Sequence, residues 1–93
     1  MALSFEGTLS LPHFDRTAFK VIGKKIFATL HEPSGTANLV LTPAMQKVFC
    51  EMSEGIYPVA NKWGGKGWTT FELQNVERGI ILEGLASAWE GVK

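Results

Sequence analysis

Two histidines in this sequence each stand next to a carboxylate, the pairing that acid–base chemistry uses. His13 lies two residues before Asp15, and His31 is followed directly by Glu32. A histidine oriented by a carboxylate can act as a general acid or base, or can supply one ligand to a metal. These two histidines match no metal-ligand spacing, so we interpret them as a loop histidine and a strand-end histidine. No metal site is predicted.

The single cysteine and the glycine–lysine pairs carry little catalytic signal. Cys50 has no histidine beside it, and we predict a partly exposed thiol without a catalytic role. Lys24 and Lys66 each follow a glycine, but neither has the upstream glycine that a phosphate-binding loop requires. The sequence therefore predicts no catalytic residue and no cofactor.

Residues 63–68 form the most unusual stretch of the chain. They include Trp63 and Trp68, two of the three tryptophans, together with a lysine and three of the ten glycines, Gly64, Gly65 and Gly67. Glycine often marks a backbone conformation that other residues avoid, and tryptophan anchors cores or binding faces. We predict a loop that is shaped by its glycines, with Trp68 anchoring the sheet.

Basic residues concentrate around this loop and one predicted hairpin, whereas acidic residues concentrate in the predicted helices. If hairpin and loop are neighbours, one side of the protein is basic and Trp63 is available for base stacking. In the alternative interpretation the lysines form a solvated strand face and both tryptophans lie in the core. The basic set is Arg16, Lys20, Lys24, Lys25, Lys62 and Lys66.

Composition limits the classes of function. The 93 residues suit one domain, residues 1–93, and 45% of them are hydrophobic. Nine basic residues balance nine acidic ones, so there is no overall positive charge for binding nucleic acid and any anionic partner must meet a local patch. One cysteine forms no intrachain disulfide, and neither a membrane-spanning run nor an export leader is evident. We expect a soluble cytoplasmic protein without a membrane partner.

The elements that must position these residues follow from hydrophobic spacing. Alternation and β-branched content predict five strands, at 17–21, 26–30, 37–41, 56–60 and 68–73. A helix is predicted to begin at Thr42-Pro43, bury a stripe of Met45, Val48, Phe49 and Met52, and stop at Gly55. A second helix is predicted after an Asn75 cap. Its stripe comprises Ile81, Leu85, Ala88, Trp89 and Val92.

Residues 3–7 read as the tail of a helix or as an extended lead-in. The whole pattern predicts an α+β fold in the order β-β-β-α-β-β-α. An antiparallel sheet of about five strands would carry two helices on one face.

Four blocks of this sequence resemble the MmcQ/YjbR family: residues 13–21, 23–30, 59–69 and 88–89. They occur in the family's order over nearly the whole chain. The resemblance implies a CyaY-like α+β domain, and some family members carry a "double-wing" arrangement proposed to bind DNA. This chain departs from the family in its short N-terminal helix. The resemblance thus also implies an open apolar surface there, which a second copy could cover as a homodimer.

Three functions fit these observations. The first is a DNA-binding module, in which Arg16, Lys20, Lys24, Lys62 and Lys66 contact phosphates and Trp63 stacks on a base. The second is a domain that binds a protein or small ligand in an apolar groove, lined by Phe14, Arg16, Trp63 and Trp68 with Arg16 at its rim. The third is an enzyme using His13, Asp15 and Arg16. We expect a non-enzymatic binding domain, with DNA binding through a local basic face as the leading function and the protein- or ligand-binding groove as the alternative.

Overall fold

The computed structural model describes residues 5, 7–13 and 15–93 of the chain. Within these residues the fold is α+β, with six strands, two α-helices and a short 3₁₀ turn. In chain order the elements are β1 (Thr8–His13), β2 (Arg16–Val21), β3 (Ile26–His31), β4 (Thr36–Val40), α1 (Pro43–Met52), β5 (Ile56–Pro58), the 3₁₀ turn (Gly64–Lys66), β6 (Trp68–Glu72) and α2 (Arg78–Val92).

All six strands belong to one antiparallel sheet with the order β1-β2-β3-β4-β6-β5. The first four strands follow one another as hairpins, and β6 then inserts between β4 and β5. Its register is set by pairs such as Ala37 with Phe71 and Val40 with Trp68. The chain segment that follows β5 therefore leads from the edge strand back to a strand that is paired on both sides, and this segment holds Trp63.

The expected strand count and order were wrong by one strand. The five predicted strands are present to within two residues at each end, but Thr8–His13 forms an additional first strand, so the order is β-β-β-β-α-β-β-α. Pro12 obscured it, because proline is rare within strands. As β1 lies at the sheet edge, Pro12 can be accommodated there without breaking an interior ladder.

The predicted helix tail at residues 3–7 falls mostly on residues outside the described ones. Gly7 is described and adopts a φ of +73°. Its carbonyl accepts a hydrogen bond from the Ile22 amide at 2.7 Å, so the pairing of β1 with β2 continues one step beyond the strands. Gly7 thus belongs to the approach of β1.

Both helices pack on the face of the sheet that carries Phe71, which is fully buried. The ring of Phe49 from α1 lies 5.9 Å from the Phe71 ring. From α2, Gly84 approaches so closely that a Cβ at this position would lie 2.9 Å from the tip of Phe71. One aromatic ring therefore joins the two helices to the sheet, and the opposite face carries no helix in the described chain.

The helix boundaries confirm one predicted cap and correct another. The Thr42 side chain accepts a hydrogen bond from the Met45 amide at 3.2 Å, as a helix N-cap does. The second helix begins at Arg78 rather than after Asn75, because the Asn75 side chain donates to Glu72 and leaves the helix without a side-chain cap. α1 ends at Met52, short of Gly55.

The predicted hydrophobic stripe of α1 is only half correct. Phe49 is buried and Met45 packs against the core, whereas Val48 and Met52 are exposed. On α2 the predicted stripe is buried or packed against the core throughout. None of the helices in the described part of the chain is long and apolar enough to cross a membrane.

The segment 59–67, which we call the Trp-Gly loop, depends on two very close backbone approaches. A Cβ at Gly67 would lie 1.8 Å from the Leu41 carbonyl oxygen, and one at Gly64 would lie 2.1 Å from that of Val59. Gly67 also has a φ of +102°, and its carbonyl accepts from the Leu41 amide at 2.8 Å. A side chain at Gly67 is excluded by space and by backbone conformation together.

Gly67→Ala should therefore lower the free energy of unfolding by at least about 2 kcal/mol, because the left-handed backbone and the Leu41 crossing both have to change. Urea denaturation followed by circular dichroism measures this loss. Gly65→Ala in the same loop is the matched control, since a Cβ there meets nothing within 4 Å. The control should change stability by less than about 0.5 kcal/mol. Equal losses of unfolding free energy for the two variants would contradict the conclusion that the backbone crossing requires glycine at position 67.

Candidate functional site

The helix-free face of the sheet holds a groove with a volume of about 510 Å³. Its floor is made by side chains from four adjacent strands, and its wall is made by the Trp-Gly loop folding back over the sheet. Its size falls within the range of small-ligand sites. The floor residues are Arg16, Thr29, Asn38 and Trp68, and the wall residues are Val59, Asn61 and Trp63.

Strand alternation explains why these side chains share one face. Asn38 lies between two buried core residues, Ala37 and Leu39, so it points to the opposite side of the sheet. The pairing of Thr29 with Asn38, and of Asn38 with Thr70, aligns their side chains in one row across three strands. The groove floor is thus the polar side of strands whose other side builds the core.

The Trp-Gly loop holds Trp63 at the groove through its own backbone. The Asn61 side chain accepts from the Trp63 amide at 2.9 Å. The Trp63 carbonyl accepts from the amides of Lys66 at 3.0 Å and Trp68 at 3.1 Å. These bonds hold the loop backbone on both sides of Trp63, whose side chain forms part of the groove wall.

Gln46 of α1 ties this loop to the helical layer. Its side-chain amide donates to the carbonyl oxygens of Gly64 at 2.9 Å and Trp68 at 3.2 Å, and to the Thr69 hydroxyl at 3.1 Å. The Thr69 hydroxyl in turn donates to the Gly67 carbonyl at 3.0 Å. One side chain of α1 therefore bonds both to the loop, at Gly64, and to the start of β6, at Trp68 and Thr69.

Trp63 is half exposed and surrounded by positive charge. Its relative exposure is 46%, which rules out the alternative that both tryptophans lie in the core. The Lys66 ammonium lies 4.9 Å from the ring centroid and the Lys62 ammonium 5.8 Å, both within cation–π range. Trp68, predicted to anchor the sheet, is partly buried on the groove floor.

Arg16 lies deeper in the groove than the rim position that was expected. Its Nε donates to the Thr29 hydroxyl at 3.0 Å. Its Nη2 is buried, and no acceptor among the described residues bonds to it. A buried guanidinium nitrogen without a partner costs free energy, so its retention requires an explanation.

A carboxylate on the same face, that of Glu72, has by contrast a hydrogen-bond partner on each of its two oxygens. Glu72 accepts hydrogen bonds at 2.8 Å from the side chains of Asn75 and of Tyr57. These bonds, that from Asn75 first, hold the pKa of the Glu72 carboxyl below its usual value. The bond to Glu72 raises the pKa of Tyr57. Glu72 therefore has local partners of its own and is not the counter-ion of Arg16.

The remaining predicted basic residues lie at one end of the sheet. This end holds the β2–β3 turn with Lys24, since Lys20 pairs with Ile26 beside that turn. It also holds the end of β4 and the start of β6, since Val40 pairs with Trp68. The Trp-Gly loop joins the sheet here too, with Lys62 and Lys66. Predicted hairpin and loop thus share one end of the sheet, which we call the lysine end.

The histidine pairs differ from those expected. His31 Nε2 lies 3.1 Å from an Asp15 carboxylate oxygen, and its Nδ1 lies 2.6 Å from the Ser34 hydroxyl, so Glu32 is not its partner. These contacts join two neighbouring turns at the sheet end opposite the lysines. In residues 15–93 and the described positions before them, no group of three metal-ligating side chains occurs.

Other predicted residues fall outside the groove or outside the description. His13 is the last residue of β1, and its side chain lies outside the described part, as does Phe14 altogether. Cys50 is partly buried, and burial raises the pKa of its thiol, which lowers its nucleophilicity at neutral pH. The groove therefore brings together Arg16, Trp63 and Trp68 from the predicted set.

Four groove residues were not predicted from the sequence, and neither was the role of Gln46 in holding the Trp-Gly loop. Thr29 and Asn38 carried a usable signal, because each is a polar residue alternating with apolar ones in a strand. Val59 and Asn61 carried none, since their position depends on how the loop folds. The role of Gln46 needed the tertiary structure, because its three acceptors lie far along the chain.

These features define a small α+β domain with helices on one face of its sheet and a groove lined by tryptophan and arginine on the other. The model of the YjbR family matches residues 3–91. The chain therefore belongs to the YjbR family, and the resemblance seen in its sequence blocks is confirmed. A search of curated proteins and a search of solved structures returned no match.

Gln46→Glu should detach the loop, because a carboxylate would face two carbonyl oxygens in place of a donor. We expect the free energy of unfolding to fall by roughly 2 to 3 kcal/mol at pH 7, measured by urea denaturation. Gln74→Glu, on an exposed side chain, provides the same charge change and should have little effect. A Gln46→Glu protein as stable as this control would show that the hydrogen bonds of Gln46 do not hold the loop.

Proposed function

We propose that this YjbR-family protein is a non-enzymatic binding domain, and that the groove on its open sheet face takes a small ligand with a flat apolar part. The observation that carries this proposal is the groove itself, in which Trp63 of the wall and Trp68 of the floor lie beside the polar side chains of Arg16, Thr29 and Asn38. Ligand sites of this kind combine apolar walls with a few polar groups that fix orientation.

The half-exposed Trp63 supports a ligand that covers it. An exposed tryptophan held in place by its own loop gives a rigid apolar surface, so little side-chain freedom is lost on binding. The hydrogen bonds of Asn61 and of the 3₁₀ turn hold the backbone of Trp63, and Lys62 and Lys66 lie within cation–π range of its ring. A planar aromatic molecule matches the shape of such a surface.

A titration with 2-naphthamide, a neutral flat probe, tests the groove. We expect changes in the amide and indole signals of Trp63 and Trp68 in proton–nitrogen NMR spectra. Trp63→Ala should weaken binding about tenfold, because stacking on one aromatic ring contributes 1–3 kcal/mol. Ile22→Ala removes an exposed apolar side chain in the β2–β3 turn and should leave the affinity unchanged. Probe-induced changes that spare both tryptophans would refute the groove as the site.

A second candidate function is DNA binding, and the lysine end of the sheet favours it. Five lysines gather at this end: Lys20, Lys24, Lys25, Lys62 and Lys66. The exposed ring of Trp63 stands beside two of them. Single-stranded nucleic acid is bound by such combinations of positive charge and stacking. The zero net charge of the chain makes this the second candidate, since no global attraction adds to the local patch.

Fluorescence anisotropy with a labelled single-stranded oligonucleotide tests this candidate over a range of salt concentrations. Replacing Lys62 and Lys66 together by serine should reduce the magnitude of the slope of log affinity against log salt by about 1.4, because each phosphate contact on a single strand contributes about 0.7. Lys47→Ser, on the exposed surface of α1, should leave that slope nearly unchanged. Absence of binding at tens of micromolar protein in low salt would exclude DNA as the partner.

A further inference from the structure

The groove floor presents hydrogen-bond donors that no protein group uses. Arg16 already donates its Nε to the Thr29 hydroxyl, and its buried Nη2 has no acceptor among the described residues. Because guanidinium has donors only, whatever satisfies Nη2 must supply an acceptor.

Thr29 contributes a second donor to the same place. Its hydroxyl oxygen accepts the bond from Arg16 Nε, and its own hydrogen has no partner among the described residues. A hydroxyl whose acceptor side is occupied can still donate, and its rotor lets the hydrogen turn toward a ligand. Arg16 and Thr29 therefore both act as donors toward the groove.

Asn38 is oriented by its neighbour so that it too offers a donor. The Thr70 hydroxyl on β6 donates to Asn38 Oδ1 at 2.8 Å. The oxygen of the Asn38 amide is thus occupied by β6, and its NH₂ group is the donor that Asn38 can offer to a ligand. The NH₂ group has no acceptor among the described residues.

Three residues of the groove floor thus each have a donor without an acceptor among the described residues, and one of them is positively charged: Thr29 and Asn38 pair across β3 and β4, and Arg16 of β2 reaches Thr29 with its Nε. Two carboxylates near this face already have other partners, because Glu72 accepts from Tyr57 and Asn75 and Asp15 lies 3.1 Å from His31 Nε2. We infer that Arg16, Thr29 and Asn38 form an oxyanion subsite, which holds the carboxylate or phosphate group of an aromatic ligand whose ring lies against Trp63. This inference rests on the proposed function, since it specifies the ligand of the same groove.

The shared chemistry is an oxyanion next to a planar ring. Such a group would complete the buried Arg16 with charge-assisted hydrogen bonds, which are stronger than neutral ones. The lysines flanking Trp63 add positive charge at the groove wall and would favour the same ligands.

The test compares three probes of one ring system in NMR titrations of the intact protein: 2-naphthoate, its neutral counterpart 2-naphthamide, and 2-naphthyl phosphate. We expect the naphthoate to bind about ten- to a hundredfold tighter than the amide, which is the range for a hydrogen bond to a charged group. The Arg16 Nε signal should shift with the anions. Whichever of the two anions binds tighter identifies the oxyanion that the subsite takes.

Arg16→Met should abolish the preference for the anions, so that naphthoate and naphthamide bind with affinities within about twofold of each other. Arg78→Met makes the same substitution at the only other arginine, which is exposed at the start of α2, and should keep the preference. If Arg16→Met does not fold, Asn38→Asp replaces it, because a new carboxylate on the same groove floor as Arg16 should occupy the subsite, raise the melting temperature and remove the preference.

The outcomes separate the two levels of the proposal. Equal affinities for naphthoate and naphthamide, with signal changes at Trp63, would overturn the oxyanion subsite and leave the groove as a ligand site. A preference for the anions that Arg16→Met keeps would overturn the assignment to Arg16. No binding of any of the three probes would overturn both the subsite and the proposed groove function.

Discussion

The crossing of Gly67 over Leu41 is the constraint on which the functional face depends. The two backbones approach so closely there that only a glycine fits, and the amide of Leu41 donates directly to the Gly67 carbonyl. This crossing leads the chain from the loop into β6, which pairs with β4 on one side and β5 on the other. Without it, the Trp-Gly loop would have no fixed end for its path over the open face.

Gln46 extends this constraint to the helices. Its amide group lies among the carbonyls of Gly64 and Trp68 and the hydroxyl of Thr69, so a residue of α1 holds the base of the groove wall. The core under α1 thus contributes to the shape of the opposite face. Side chains that never contact a ligand can therefore affect binding, because they determine where Trp63 stands.

The two faces of the sheet satisfy their polar groups differently. On the core side Thr69, the one polar residue buried in β6, has its hydroxyl engaged with Gly67 and Gln46. On the open side Glu72 is engaged, but Arg16 keeps a buried nitrogen without an acceptor. Folded proteins satisfy nearly all buried polar groups, and exceptions cluster where a ligand completes them. Arg16 is such an exception, and it lies in the groove.

Local patterns in the sequence determined most of the elements, because alternation, the Thr42-Pro43 cap and the turn glycines act over a few residues. They also determined the α+β class, the family and the unusual nature of residues 63–68. Local patterns did not predict the strand Thr8–His13, because proline disfavours a strand except at a sheet edge, and the edge position of β1 is a tertiary feature. They also gave the wrong cap for the second helix, because the Asn75 side chain bonds to Glu72. Only the tertiary structure decided the groove. Its residues come from five separate segments, and their proximity arises from strand pairing and the close backbone crossing at Gly67, which depend on contacts between distant parts of the chain.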